Sequence, residues 1–355
     1  MKRAPTLLDV AQRAGVSYAT VDRVINGRSR VAQKSRDVVI QAVADLGYVR
    51  NIAAANLAQR RVYRFMFIIP TGTNAFFDRV CAIVEGFGQI AGTDRIELNV
   101  ARVAAFDAAA LAARLSELVD TALDGVALVG VSDDGRVEAA IAALRNKGIA
   151  VLTIISDLAP TARDAYIGID NATAGRTAGG LIALSHRGRA GRVLPIIGAP
   201  AARDHAERLS GLQETLAETD LSIAPVVEGR DRHDVVEAEL RSALAADPEI
   251  SAIYNAGAGN TGLIRVIAEL PAEQSRPVVI LHELLPRNRA ALEAGLIDTV
   301  IDQRPDEAIG RTIAMLRSLA DRRPLTASPA IVPAIYIREN LPGAPEQALL
   351  EGYAA

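Results

Sequence analysis

From Tyr63 onward the chain repeats one pattern, a short apolar run followed by an amphipathic stretch. The strand-like runs are Phe65–Ile69, Ile96–Val100, Val126–Val129, Val151–Ile155, Val193–Ile197, Ile250–Tyr254, Val278–Leu281 and Thr299–Ile301. Between them lie Ala-rich helical stretches such as Ala108–Leu123, Val137–Lys147 and Arg311–Leu319. This alternation predicts an α/β chain whose parallel, doubly wound sheets are covered by helices on both faces. It runs for too long to be one sheet, so two lobes are expected. Ligands of open α/β sheets sit beyond the carboxyl ends of the strands. With 50% hydrophobic and 23% charged residues, a disordered chain is excluded. No apolar stretch reaches the ~20 residues of a membrane-spanning helix. The opening MKRAPTLLDVAQRAG places Asp9 and Gln12 where a signal peptide needs an apolar core. Cys81, the only cysteine, has neither a disulfide partner nor metal-ligand spacing around it. A reduced, cytoplasmic protein without metal is the expectation.

The first 61 residues stand apart. They hold eleven Lys and Arg against four acids (Asp9, Asp22, Asp37, Asp45), a net +7, whereas the whole chain carries −3, which leaves the remainder at −10. A small basic head on an acidic body suggests a polyanion partner for the head alone, although a solvated basic surface has the same charge. Thr6 and Asp9 have the spacing of a capping box, followed by Leu7, Val10, Ala11 and Ala14 at helical intervals, with Gly15 as the exit. Ser17 is suited to cap a second helix with Val21, Val24 and Ile25 inward, stopped by Asn26-Gly27. A third helix runs from about Gln33 to Leu46 with Val39, Ala42, Val43 and Leu46 inward, and Gly47 ends it.

Two short helices joined by a Gly-containing turn and backed by a third read as a helix-turn-helix, a periodicity that any three-helix bundle shares. In a helix-turn-helix the N-terminal part of the second helix enters the major groove. Tyr18, Ala19 and Arg23 then point outward. Arg23 suits guanine O6 and N7, and Ala19 a thymine methyl. Ser17, Thr20 and Asn26 suit phosphates. Tyr18 has a second reading, as a half-buried aromatic sealing the bundle.

The segments TLLDVAQRAGVSYATVDRVING, VAQKSRDVVIQAVADLGYVRN and AAANL resemble the head of the LacI/GalR family of bacterial transcription regulators. Asp22 departs from that family's usual serine and sets an anion beside the DNA, positioned to repel phosphate or accept from cytosine N4. Ala32 replaces a helix-capping serine, and Arg50 the proline before Asn51. The resemblance implies that Asn51 to Ala58 forms a hinge helix in the minor groove, with Leu57 wedged between base pairs. So short a helix is marginal alone, which predicts folding on DNA; an ordinary linker is the alternative.

Polar residues cluster in the loops after the strand-like runs. Asn74, Phe76 and Phe77 follow the first, and Asp157 the fourth. Asp170 and Asn171 lie in GIDNATAG, and Arg208 in RDHAERLSG. Asn255, then His282 and Glu283, then Gln303 follow three later runs. Planar polar groups with a pair of phenylalanines suit a sugar, since aromatics cover its C–H face. Strand-end Asn and Asp also cap the helices that follow them, and Phe77 also suits a core. The body resembles the periplasmic sugar-binding fold, ribose-binding-type proteins in particular, which is also the LacI-family sensor fold. That resemblance implies ligand-contacting positions at Asn74, Phe76, Phe77, Asn171, Arg208, Asn255, Glu283 and Gln303. Ile155-Ser156 stands where ribose binders carry Asp-Arg, so another monosaccharide, a polyol or a sugar acid is expected, with Asp157 as a partial substitute.

Residues Gly257 to Gly262 fit G-x-G-x-x-G between a strand and a helix, with Glu283 positioned as the ribose acid of a dinucleotide site. Asn255-Ala256 intervenes where that fingerprint turns tightly, which leaves an NAD-dependent oxidoreductase with a DNA-binding head as the runner-up. G-x-S-x-G is absent and the four histidines lack metal-ligand spacing. The expected organisation is a DNA-binding head over 1–50, a hinge and linker over 51–61, an effector domain over 62–345 and a tail over 346–355. Within the effector domain, lobe 1 is expected at about 62–169 and 304–330, and lobe 2 at about 170–303 and 331–345. The expected protein is a homodimeric, non-enzymatic repressor without cofactor, bound to a near-palindromic operator and controlled by a small polar effector.

Overall fold

Apolar runs without polar alternation are buried on both faces, and that is how the central strands of the body sit. The computed structural model describes residues 5–25, 31–48, 61–91, 95–131, 134–271, 275–323 and 329–343. The chain separates into two units, Met1–Arg61 and Val62–Ala355.

In the first unit, α1 (Leu7–Ala14), α2 (Tyr18–Ile25) and α3 (Gln33–Leu46) enclose a small core of Val10, Ala11, Val21, Val39 and Ala42. The capping box forms in both directions. Thr6 N donates to Asp9 Oδ2 at 2.7 Å and Asp9 N donates to Thr6 Oγ1 at 3.4 Å. Gly15 and Gly47 both leave their helices in the left-handed region, φ 66 and 60. Ser17 Oγ accepts from Thr20 N at 3.2 Å, the capping bond expected at the start of α2. Ala32 caps α3 with no side-chain bond. Asn26, Gly27 and residues 49–60 lie outside the described residues, and with them the stop after α2 and the hinge segment with Leu57.

The second unit holds two sheets. The first contains β1 (Tyr63–Thr71), β2 (Ile96–Ala104), β3 (Gly125–Leu128), β4 (Ala150–Ile154) and β5 (Ala165–Ile167), all parallel, in the order β2-β1-β3-β4-β5. The second contains β6 (Gly191–Ile197), β7 (Leu221–Ile223), β8 (Val227–Glu228), β9 (Ile250–Asn255), β10 (Val278–His282), β11 (Thr299–Asp302) and β12 (Ala334–Tyr336). Its order is β12-β11-β10-β9-β6-β7, with β8 also paired to β6 and only β12 antiparallel. All eight strand-like runs of the sequence lie on strands, while β5, β7, β8 and β12 are too short to leave a periodic signal. The helical stretch expected over Ala108–Leu123 ends earlier, at Glu117.

Helices α4 (Ala75–Ala91), α5 (Ala108–Glu117) and α6 (Gly135–Asn146) cover the first sheet. On the second lie α7 (Asn171–His186), α8 (Arg203–Leu216), α9 (His233–Ala246), α10 (Asn260–Ala268) and α11 (Pro286–Glu293). The chain then returns to the first sheet as α12 (Pro305–Ala320), which packs on β1, β3, β4 and α4. Strand order reverses between β1 and β3 in one sheet and between β6 and β9 in the other. Crevices open beyond the carboxyl ends of strands at such reversals.

Candidate functional site

A cleft of about 730 Å³ lies beyond the carboxyl ends of both sheets. Its walls come from the turns after β1 (Thr73, Asn74), β2 (Phe106), β3 (Gly130) and β4 (Ile155, Ser156), and opposite them the turns after β8 (Asp231), β9 (Gly257 to Asn260), β10 (Glu283) and β11 (Gln303). The turns are strained. Phe106, Ile155, Asp231 and Glu283 hold φ of 58, 66, 56 and 71, a region in which non-glycine residues are uncommon. Ile155, β-branched, sits at the centre of a three-residue turn closed by Ser156 N donating to Ile154 O at 2.7 Å. Strain of this kind costs about 1–3 kcal/mol per residue and concentrates at ligand sites.

Arg208 shows how the fold positions one side chain. Helices α7 and α8 pack through reciprocal glycines. A Cβ at Gly175 would meet the carbonyl oxygen of Arg208, and one at Gly211 that of Ala172. The close approach brings Asn171, first residue of α7, to Arg208, whose Nε donates to Asn171 Oδ1 at 2.9 Å. Arg208 Nη1 donates to Ala256 O at 2.8 Å, and Nη2, although buried, has no partner.

Across the wall, Gln303 Nε2 donates to Glu283 Oε1 at 2.6 Å, leaving Glu283 Oε2 and Gln303 Oε1 buried and unpartnered. Burial, with the nearby Asp302 carboxylate, pushes the Glu283 carboxyl up to about 8. His282 is buried and pairs through Nε2 with the Tyr254 hydroxyl at 2.7 Å; its Nδ1 has no partner. Burial, with the charges of Arg208 and His205, holds the imidazole well below its ordinary value, so it is neutral at pH 7. Buried polar atoms are nearly always hydrogen-bonded, so a cluster of unpartnered ones on a cleft wall marks groups reserved for a ligand.

Asn74, Phe76, Phe77, Arg208, His282, Glu283 and Gln303 all line the cleft. The Phe76 and Phe77 rings lie 5.6 Å apart, with Phe76 buried against the core. Four expected contacts do not line it. Asp157 is enclosed by local donors: Thr153 Oγ1 at 2.5 Å, Leu158 N at 2.8 Å and Arg163 Nε and Nη2 at 2.6 Å. Asp170 is exposed and caps α7, accepting from Thr173 N at 2.8 Å. Asn255 ties the following turn together, donating to Ala258 O and Asn260 Oδ1 and accepting from Gly257 N. Asn171 holds Arg208 rather than facing the opening.

Asp231 escaped the sequence reading because β8 is only two residues long. Its backbone oxygen accepts from Thr73 Oγ1 at 2.6 Å and its Oδ2 from Asn74 Nδ2 at 3.0 Å, joining the two walls. Arg79, two residues past Phe77, adds a second tie through Asp302 at 2.9 Å. Phe106 rests on His205 with ring centroids 6.3 Å apart. The Gly257–Gly262 segment serves packing. Gly259 starts α10 at φ 86, and a Cβ at Gly262 would run into the His233 carbonyl oxygen.

In the head, Tyr18 is 52% exposed, Ala19 and Arg23 are exposed beside it, and Thr20 and Asp22 are partly exposed. Ser17 and Thr20 hydroxyls are 2.9 Å apart. No helix among the described residues is long and apolar enough to cross a membrane.

Residues 65–324 match the family described as "Periplasmic binding protein domain", and residues 6–51 match "Bacterial regulatory proteins, lacI family". The chain is 51% identical over 55 residues to the HTH-type transcriptional regulator AscG of Escherichia coli (16% of each chain). It is 37% identical over 86 residues to catabolite control protein A of Streptococcus mutans (24% of this chain, 25% of the relative), and 41% identical over 76 residues to the HTH-type regulator pepR1 of Lactobacillus delbrueckii (21% and 23%). These matches span about a quarter or less of each relative's length. In fold the chain is similar to the glucose-galactose binding protein GanP of Geobacillus stearothermophilus, with TM-score 0.71, 21% identity, and 79% of this chain and 99% of that one covered. It is also similar to a solute binding protein of Burkholderia graminis in complex with D-arabinose, with TM-score 0.70, 20% identity, and 79% and 97% covered.

Proposed function

Given a chain that belongs to the periplasmic binding protein domain family over most of its length and carries a lacI-family head, we propose that it is a DNA-binding transcription regulator whose operator affinity follows a small sugar-type effector in the cleft. The observation that carries the reading is the set of buried, unpartnered polar atoms on Arg208, His282, Glu283 and Gln303 around a cleft large enough for such a molecule. Tyr18, Ala19 and Arg23 read base edges, Ser17, Thr20 and Asn26 hold phosphate, Asp22 adjusts specificity and Leu57 is the wedge. The division into head over 1–50, hinge over 51–61 and two-lobed sensor over 62–345 follows. The protein acts as a cytoplasmic homodimer on a near-palindromic site, without catalysis or cofactor, and most simply as a repressor. Effector binding shifts the balance between open and closed lobes and thereby the spacing of the two heads.

The test has two arms. In vitro selection from random duplexes identifies the operator, and a thermal-shift screen of sugars, polyols and sugar acids identifies the effector, because a ligand of the folded state raises Tm. Operator binding is expected to weaken steeply with salt, and Arg23→Ala to cost about 1–3 kcal/mol of specific binding at matched salt. A selection that enriches no duplex, or an enriched duplex whose affinity no stabilising compound alters, would end the reading.

A further inference from the structure

The cleft contains one buried positive charge that the protein itself leaves uncompensated. Arg208 is 3% exposed, and its guanidinium meets only neutral acceptors, the Asn171 amide and the Ala256 carbonyl. Burial and then its charge hold the His282 imidazole down, and its charge opposes the burial that raises Tyr254 and Glu283. The neighbouring carboxylates are engaged elsewhere. Asp231 takes Ala258 N on one oxygen and Asn74 on the other, and Asp302 takes Arg79, Leu284 N and Arg304 N. Asp204, one turn before Arg208 on α8, makes no hydrogen bond or ion pair with it; its Oδ2 is 3.8 Å from His205 Nε2. Glu283, pushed up to about 8, is mostly neutral at pH 7. An ion taken out of water without a counter-ion costs several kcal/mol, so a bound anion gains more here than a bound neutral group.

The donor inventory narrows the ligand. Burial keeps the Tyr254 phenol protonated, and its partner is His282 Nε2, so the hydroxyl donates there. The imidazole proton is then on Nδ1, which is unpartnered and available to a ligand. Arg208 Nη2 and His282 Nδ1–H match the two oxygens of a carboxylate, and His233 Nδ1 and Ser156 Oγ are further unpartnered atoms on the lining. Gln303 Oε1 accepts from a ligand hydroxyl, and Glu283 Oε2, which carries the proton of the neutral carboxyl while Oε1 takes Gln303, donates to one.

We propose that the effector is a polyhydroxylated carboxylate, a sugar acid rather than a neutral sugar or polyol, its carboxylate held by Arg208 and His282 and its hydroxyls by Gln303 and Glu283. This rests on the reading of the cleft as an effector site. The test is calorimetry on the full chain at pH 7 with matched sets: ribose, ribitol and ribonate; glucose, sorbitol, gluconate and glucose 6-phosphate; galactose, galactitol and galactonate. At least one acid is expected to bind ~10-fold or more tighter than its neutral partners. Arg208→Gln, which keeps a donor but removes the charge, is expected to cost that acid ~10-fold or more and to leave its neutral partners within about threefold. The wild-type comparison stands even if the variant does not fold. A neutral sugar, a polyol or the phosphate binding tighter than its acid overturns this inference and leaves the sugar-type cleft intact. No binding by any member overturns both.

Discussion

The two walls of the cleft are built from the same kind of strand-end turn, yet they use their polar groups differently. Among the described residues, the β1–β5 wall offers aromatic rings, backbone and a single unpartnered buried polar atom, Ser156 Oγ. The β6–β12 wall offers five such atoms, on Arg208, His233, His282, Glu283 and Gln303. On the proposed reading of the cleft, the difference makes one lobe the reader of the ligand and the other its cover. Its cause lies in the helices. Arg208 is carried by a helix locked to its neighbour through glycine contacts, so a long charged side chain is held without ligand. The first wall's polar residues are spent on their own turns or on the tie to Asp231.

The sharpest way to break this division is to remove one group from each wall. Glu283→Ala is expected to weaken effector binding by about ten- to more than a hundredfold, the worth of a hydrogen bond involving a charged or strongly polar group. Ser156→Ala loses about tenfold at most, as a neutral hydroxyl does. Equal losses in calorimetry would abolish the distinction between reader and cover.

Next in size is Tyr254→Phe, which leaves His282 Nε2 buried without a partner. It is expected to destabilise by about 1–3 kcal/mol in denaturant unfolding and also to weaken the ligand, because the ring proton is no longer fixed on Nδ1. A variant as stable as the parent would mean that this pair does not orient the imidazole.

The second wall also predicts a pH dependence. The Glu283 value of about 8 in the folded chain lies above its ordinary 4.5, so its stabilising contribution is complete below 4.5 and is lost as pH rises through 8. His282 runs the other way, held neutral where a free imidazole near 6.5 takes a proton, so it destabilises the fold as pH falls below 6.5. Between 6.5 and 8 the carboxyl acts alone, and stability is expected to fall by about 2 kcal/mol. Glu283→Gln should flatten that slope; an unchanged slope assigns it to another group. The smallest effect belongs to Asp170→Ala, about 1 kcal/mol from a lost helix cap with effector affinity untouched. A change in affinity would return Asp170 to the site.

The fold was legible because apolar runs of four or more residues announce buried strands, and the head because capping residues and glycine exits punctuate short helices. The site was legible only in part. Order along the chain places a polar residue beyond a strand, but not whether its lone pairs are used locally. Asp157, Asp170 and Asn255 bond to groups within six residues and are consumed by their own turns. Arg208 and Gln303 find partners twenty or more residues away, leaving one end of each free. Asp231 was missed because nothing local marks a two-residue strand, although it and its neighbour Arg230 both adopt positive φ.

Glu283 combines a ligand-facing carboxyl with a φ of 71, and this bears on how such a chain can diversify. Most positions that touch a ligand are also fitted to the core, so changing them harms the fold as well as the contact. Here the backbone conformation suits asparagine or glycine better than glutamate, and either exchange relieves strain of order 1 kcal/mol while rewriting what the cleft accepts. Descendants of this chain can therefore alter their chemical preference at this position with the relaxed backbone offsetting part of the lost bond to Gln303, a cheaper route to new selectivity than a change at a position without strain.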